Sequence, residues 1–146
     1  MYFKKNKLFI EKVSGLKIAR EFGTPSYCYS LGRLKNNIRN FQRNFKTISP
    51  LLCFSVKSNS NLQILKEIKK LGIGADVVSK GEMLQALKAG ISTKKIVFSG
   101  VGKKTDELEF AIKKKILLIN AESLSEIKEI NRIAKSKNKK IKIGVR

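Results

Sequence analysis

The sequence predicts an α/β fold of consecutive βα units around a parallel sheet, on three observations. From Leu51 onward, short apolar runs rich in β-branched residues alternate with longer segments of helical period. The runs begin at positions 51, 73, 95, 116 and 141, a spacing that leaves room for one crossover helix between successive strands. Capping residues stand where the helices start, and Gly72 and Gly90 where two of them stop.

Taken in chain order, Met1 to Val13 is basic and holds only Leu8, Phe9 and Ile10 as an apolar run, too short for a secretory signal. Thr24 and Pro25 open a short separate strand over Ser26 to Tyr29, since proline biases its predecessor to extended geometry. Ser30 caps a helix whose Leu34, Ile38, Phe41 and Phe45 recur at helical intervals. The runs Leu51 to Val56, Ile73 to Val78, Lys95 to Phe98, Ile116 to Ile119 and Ile141 to Val145 read as parallel strands buried on both faces. Between them four helices are expected, with stripes at Leu62/Leu65/Ile68/Leu71, Leu84/Leu87, Leu108/Ala111/Ile112 and Leu124/Ile127/Ile130/Ala134. Ser79 with Glu82 and Ser123 with Glu126 have capping-box spacing, and Asn61 and Thr105 can each serve as an N-cap. A leucine-rich solenoid of similar period is excluded, because its Leu-x-x-Leu-x-Leu-x-x-Asn pattern is missing.

Composition bounds the function. The 146 residues are 42% hydrophobic, too apolar for a disordered tail, yet a closed parallel barrel needs about 250 residues. A barrel pattern would therefore make the chain a fragment. Histidine is absent, which removes catalytic triads, His-ligated metals and imidazole acid-base chemistry; Lys, Cys and carboxylates remain, and no metal site is expected. The net charge of +21 attracts phosphate non-specifically, but only six of the 32 basic residues are Arg and the lysines are spread over several polar helix faces. No specific nucleic-acid partner is expected. Cys28 and Cys53 lie in apolar runs with no disulfide framework and are expected as buried, reduced thiols. With no apolar stretch of membrane-spanning length, the expected compartment is the cytoplasm.

Polar residues gather after the strands: Lys57, Ser58 and Asn59, then Ser79, Ser99 and Gly100, Asn120, and Arg146. In parallel α/β folds that end binds ligands, because loops and helix N-termini converge there. Loops are polar in any case, which accounts equally for Ser79 and Asn120. Lys57 follows the most apolar run; apolar surroundings depress an ammonium pKa, and a neutral lysine can attack a carbonyl to form a Schiff base. On the residues alone, an ordinary loop lysine is the weightier reading. The stretch Ser99-Gly100-Val101-Gly102-Lys103-Lys104-Thr105 is not a P-loop, since Val97 and Lys104 stand where Gly and Ser or Thr are needed. Gly72-Ile73-Gly74 fails as a dinucleotide fingerprint, since it precedes a strand and lacks the third glycine.

The segment Cys53-Phe54-Ser55-Val56-Lys57-Ser58-Asn59-Ser60-Asn61 resembles the pyridoxal-phosphate lysine motif of the diaminopimelate decarboxylases, within the fold-type III decarboxylase family. Gly74 to Glu82, Ile96 to Lys103 and Ile119 to Ser123 are similar to that family's successive strand-loop segments, and Thr24 to Tyr29 to its N-terminal Thr-Pro strand. The resemblance implies the N-terminal part, about five strands, of an alanine-racemase-like (β/α)8 barrel, with an N-terminal strand belonging to a β domain. Residues 1–30 form that segment and 31–146 the first part of the barrel, truncated.

It further implies pyridoxal 5'-phosphate as cofactor, with Lys57 as its catalytic Schiff-base lysine and Asp76 and Arg146 beside it in the cofactor pocket. The implied reaction is decarboxylation of meso-2,6-diaminopimelate to L-lysine by a homodimer, an activity expected to need residues past Arg146. Related decarboxylases of ornithine, arginine or carboxynorspermidine are the alternatives. A shortened, non-catalytic product or a basic module with weak nucleic-acid binding is a further one.

Overall fold

The protein is described from a computed structural model over residues 1–45 and 47–146, which divide into two compact units, Met1–Ser49 and Pro50–Arg146.

In the first unit β1 (Tyr2–Lys4) and β2 (Lys7–Ile10) form an antiparallel hairpin, and β3 (Val13–Ser14) pairs antiparallel with β2. The two-residue turn Lys5–Asn6 takes positive φ at both positions, the geometry whose twist matches a tight hairpin. Tyr2 stacks on Phe9 across the ladder. Sequence reasoning missed this hairpin, because its apolar residues are few and its turn is not Asn-Gly. Ser14 caps α1 (Gly15–Phe22) and Ser30 caps α2 (Leu31–Asn44), each accepting an N–H three residues on. Glu11 fastens the start of α2: its Oε1 accepts from the Ser30 hydroxyl at 2.6 Å and the Gly32 N–H at 2.8 Å. Those two donors, the hydroxyl first, hold the Glu11 carboxyl below the usual range.

The strand expected over Ser26 to Tyr29 is not formed. A strand exists through its ladder, and this segment has none among the described residues; Ser26 Oγ instead donates to Gly23 O at 2.7 Å.

The second unit holds the βα array. Strands β4 (Cys53–Ser55), β5 (Gly74–Val77), β6 (Ile96–Phe98), β7 (Leu118–Ala121) and β8 (Ile143–Val145) form one parallel sheet in sequence order. The connecting helices are α3 (Leu62–Lys70), α4 (Lys80–Lys88), α5 (Thr105–Lys114) and α6 (Leu124–Ser136). Right-handed crossovers in this order place all four on one face. There the alternate strand residues Ala75, Val77, Ile96, Phe98 and Ile119 are fully buried with Leu65, Ile68, Met83 and Ile112. Burial on both faces, the expectation from the apolar runs, does not hold. Ser55, Asp76, Val97, Leu118 and Asn120 alternate onto the opposite face and are only half-buried.

Two helix stripes differ from expectation. Helix α4 turns Met83 and Ala86 inward and leaves Leu84 49% exposed, and Leu124 at the start of α6 is 67% exposed while Ile133 is buried. Size misled the reading of α4, since a helix lies close on a sheet through small residues such as Ala86. Strand β7 begins two residues later than expected. Ser79 and Ser123 cap their helices, with Glu82 and Glu126 reaching back to the N–H of Val78 and of Glu122. Asn61 caps α3. Thr105 does not cap α5: it is the first helical residue and gives its hydroxyl to Glu129.

Candidate functional site

Strand β4 ends at Ser55, and the chain enters a one-turn 3₁₀ helix, Val56–Ser58. Ser58 Oγ donates to Ser55 O at 2.7 Å and Asn59 N–H to Val56 O at 3.0 Å, so the turn is closed from both ends. Asn59 Oδ1 then takes the Asn61 N–H, leading into the cap of α3. Val56 occupies the buried position and Lys57 is exposed. Among the described residues the apolar envelope expected around Lys57 is not formed; the tight turn sends Val56 into the core and Lys57 out of it. The Lys57 side chain makes no hydrogen bond or ion pair among the described residues.

Asp76 pairs in register with Ser55, two residues before Lys57. Its carboxylate turns to the other neighbouring strand: Ser99 Oγ, just past β6, donates to Asp76 Oδ1 at 2.5 Å. Asn120 Nδ2 on β7 donates in turn to Ser99 Oγ at 3.0 Å. Three strands thus contribute one polar row on the half-buried face. Gly144, facing Asn120 across the β7–β8 ladder, leaves room for that side chain, because a Cβ there would overlap Asn120 Oδ1.

Arg146 lies beyond β8, where its N–H donates to Ala121 O and its guanidinium pairs with Glu122 at 3.1 Å. Glu122 Oε1 also accepts the Gly100 N–H. Beside them lies a buried ion pair not foreseen from sequence. Lys103 Nζ, its side chain 0% exposed, donates to Gly100 O at 2.6 Å, Asn120 O at 2.7 Å and Glu126 Oε1 at 2.7 Å. The ammonium also lies over the Phe98 ring. Lys103 therefore ties the β6–α5 loop to the end of β7. The available signal was the pairing of a Gly-Val-Gly-Lys loop with glutamates four apart at the next helix start. Gly100 holds its place by conformation, with φ +92° and Val78 Cβ 3.3 Å from where a side chain would begin.

Both cysteines are free and half-buried, less enclosed than expected; burial, then the Asp76 charge, pushes the Cys53 thiol up. No cluster of three metal-ligating side chains occurs among the described residues, and no helix there is long and apolar enough to cross a membrane. The ends of β4 and β5 thus carry a primary amine with no partner among the described residues and a carboxylate oriented by Ser99. That donor set fits an aldehyde-bearing cofactor, whose carbonyl an amine can add to.

Comparison with known proteins agrees with this chemistry. The family described as pyridoxal-dependent decarboxylase, pyridoxal binding domain, matches residues 31–146. The diaminopimelate decarboxylase of Haemophilus influenzae is 42% identical over 99% of this chain and 35% of its own length. That of Neisseria meningitidis is 41% identical over 95% and 34%. The crystal structure of the Helicobacter pylori diaminopimelate decarboxylase, complexed with L-lysine, superposes with a TM-score of 0.86 at 43% identity, covering 89% of this chain and 33% of that one. The chain spans about a third of the length of the curated relatives it matches. With the family matched over most of its length, the chain belongs to the pyridoxal-dependent decarboxylases and contains sequence of their pyridoxal binding domain.

Proposed function

We propose that this chain provides the lysine-bearing part of a diaminopimelate decarboxylase, which converts meso-2,6-diaminopimelate to L-lysine and CO2 in lysine biosynthesis. The carrying observation is the exposed, unengaged amine of Lys57 at the end of β4, in a chain whose relatives bear that name. Lys57 Nζ would hold the cofactor, and once free its amine, at the end of β4, would be able to hold or return a proton. In this reading Asp76, whose Oδ1 accepts from Ser99, and Arg146, paired with Glu122, would line the cofactor pocket with Lys57; their place at the ends of neighbouring strands supports it. Pyridoxal phosphate, when bound, supplies the electron sink for the carbanion left by loss of CO2. Residues 1–30 contribute to a separate β domain and 31–146 to the barrel. The working form is a homodimer in the cytoplasm, a compartment that suits two free cysteines.

The test uses the polypeptide that carries residues 1–146, loaded with pyridoxal phosphate and reduced with borohydride. Peptide mapping should place the adduct on Lys57. Lys57→Ala should abolish both that adduct and CO2 release from meso-diaminopimelate, with ornithine, arginine and carboxynorspermidine as competing substrates. An adduct on another lysine, or faster turnover of a competitor, overturns the corresponding part of the proposal.

A further inference from the structure

We propose that Ser99, anchored by Asn120, is a positioning residue that draws the Asp76 carboxylate away from Lys57 and so keeps that amine unpaired for attack on a carbonyl. The inference rests on the reading of Lys57 as the reactive amine and adds a device that protects it.

Strand order carries the argument. Asp76 is on β5, between β4, which leads into Lys57, and β6, which leads into Ser99. Its register partner on β4 is Ser55, two residues before Lys57, so the carboxylate stands next to the strand that delivers the amine. A flexible ammonium and a neighbouring carboxylate would ordinarily pair. Here Lys57 has no partner among the described residues, and Asp76 Oδ1 is taken on the opposite side by Ser99. A carboxylate oxygen only accepts, so the Ser99 hydroxyl gives its single proton to Asp76, and Asn120 Nδ2, donating to Ser99 Oγ, holds that hydroxyl in place. Asn120 is itself held, through Lys103 Nζ on its carbonyl and through the space left by Gly144.

Other charges near the turn are already engaged or remote. The elements packed most closely on the Val56–Ser58 turn are β5 and α4. Their charged groups are Asp76, Lys80, Glu82 and Lys88. Lys80 pairs with Asp106, Glu82 accepts the Val78 N–H, and Lys88 lies at the far end of α4. Among the charged groups of β5 and α4, Asp76 is therefore the acid left to capture Lys57 once released.

Reductive methylation of the polypeptide that carries residues 1–146, with formaldehyde and a mild borohydride, reads the free-amine reactivity of Lys57 by peptide mass spectrometry and needs no bound cofactor. In Ser99→Ala the released carboxylate pairs with Lys57, methylation there slows about two- to fivefold at neutral pH, as a solvent-exposed ion pair allows, and its pH profile moves to the alkaline side. Asn120→Ala moves in the same direction, whereas Ser99→Thr, which keeps the hydroxyl, retains the original rate. In an Asp76→Asn background Ser99→Ala has no effect on Lys57, the non-additivity that marks action through Asp76. An unchanged rate in Ser99→Ala, or an equal slowing with and without Asp76, overturns the inference. Failure of pyridoxal phosphate to label Lys57 in the parent polypeptide overturns the functional reading separately.

Discussion

Replacing Lys103 by Met removes an ammonium while keeping most of an apolar stem against Phe98. Three acceptors then lose their donor, namely Gly100 O, Asn120 O and Glu126 Oε1. The Lys103 side chain is 0% exposed and that of Glu126 11%, so water repairs little. Removing one partner of a buried ion pair costs about 3–5 kcal/mol. The lower end, about 3 kcal/mol, applies here, because Glu126 Oε2 keeps the Glu122 N–H at 2.9 Å and the methionine preserves packing. At a urea m-value of about 2 kcal/mol/M, the unfolding midpoint should fall by about 1.5 M with m unchanged. Equilibrium urea denaturation of the polypeptide that carries these residues, followed by circular dichroism, measures it. The double variant Lys103→Met/Glu126→Gln should lose less than the sum of the single losses. A midpoint shift below about 0.5 M, or strict additivity, would refute the reasoning that this pair locks the β6–α5 loop to β7.

Phe98 is fully buried beneath the helices, so Phe98→Ala should cost about 3–5 kcal/mol, read from the same denaturation curves. Gly144→Ala should lower stability by introducing a Cβ into Asn120 Oδ1, and the loss should be relieved in an Asn120→Ser background. Arg132, followed by the Thr105 hydroxyl, outweighs desolvation and holds the Glu129 carboxyl down at about 2 from its usual 4.5. A depressed folded-state value means that its contribution is present above about pH 4.5 and is lost as pH falls towards 2. NMR titration of the Glu129 carboxyl should show the low midpoint in the parent and its return towards 4.5 in Arg132→Ala.

What could be read without a structure was what depends on near neighbours in the chain. The order of strands and helices, the Ser79, Ser123 and Asn61 caps, and the positive-φ glycines 72 and 90 are local and stand where expected. Lys57 was legible as a residue at the end of the first array strand, although the strand stops at Ser55 and Lys57 lies in the turn that follows. Three-dimensional proximity was not. Leu84 and Leu124 show that periodicity gives a stripe but not its phase against the sheet, which packing with Met83, Ala86 and Ile133 decides. The N-terminal hairpin lay below the signal of its few apolar residues, and Ser26 to Tyr29 had strand character without a neighbour to pair with.

The sequence by itself determined the class of fold, the order of its βα units and the end of the sheet at which polar residues gather, because propensity, period and capping act within a few residues. Only the tertiary structure decided how Asp76, Ser99 and Asn120 join into one row, that Lys103 is buried between Gly100, Asn120 and Glu126, and that Lys57 stands exposed with no partner among the described residues. Partners 17 to 23 residues apart in the chain meet only when parallel strands align their ends, so register and crossover geometry set these contacts.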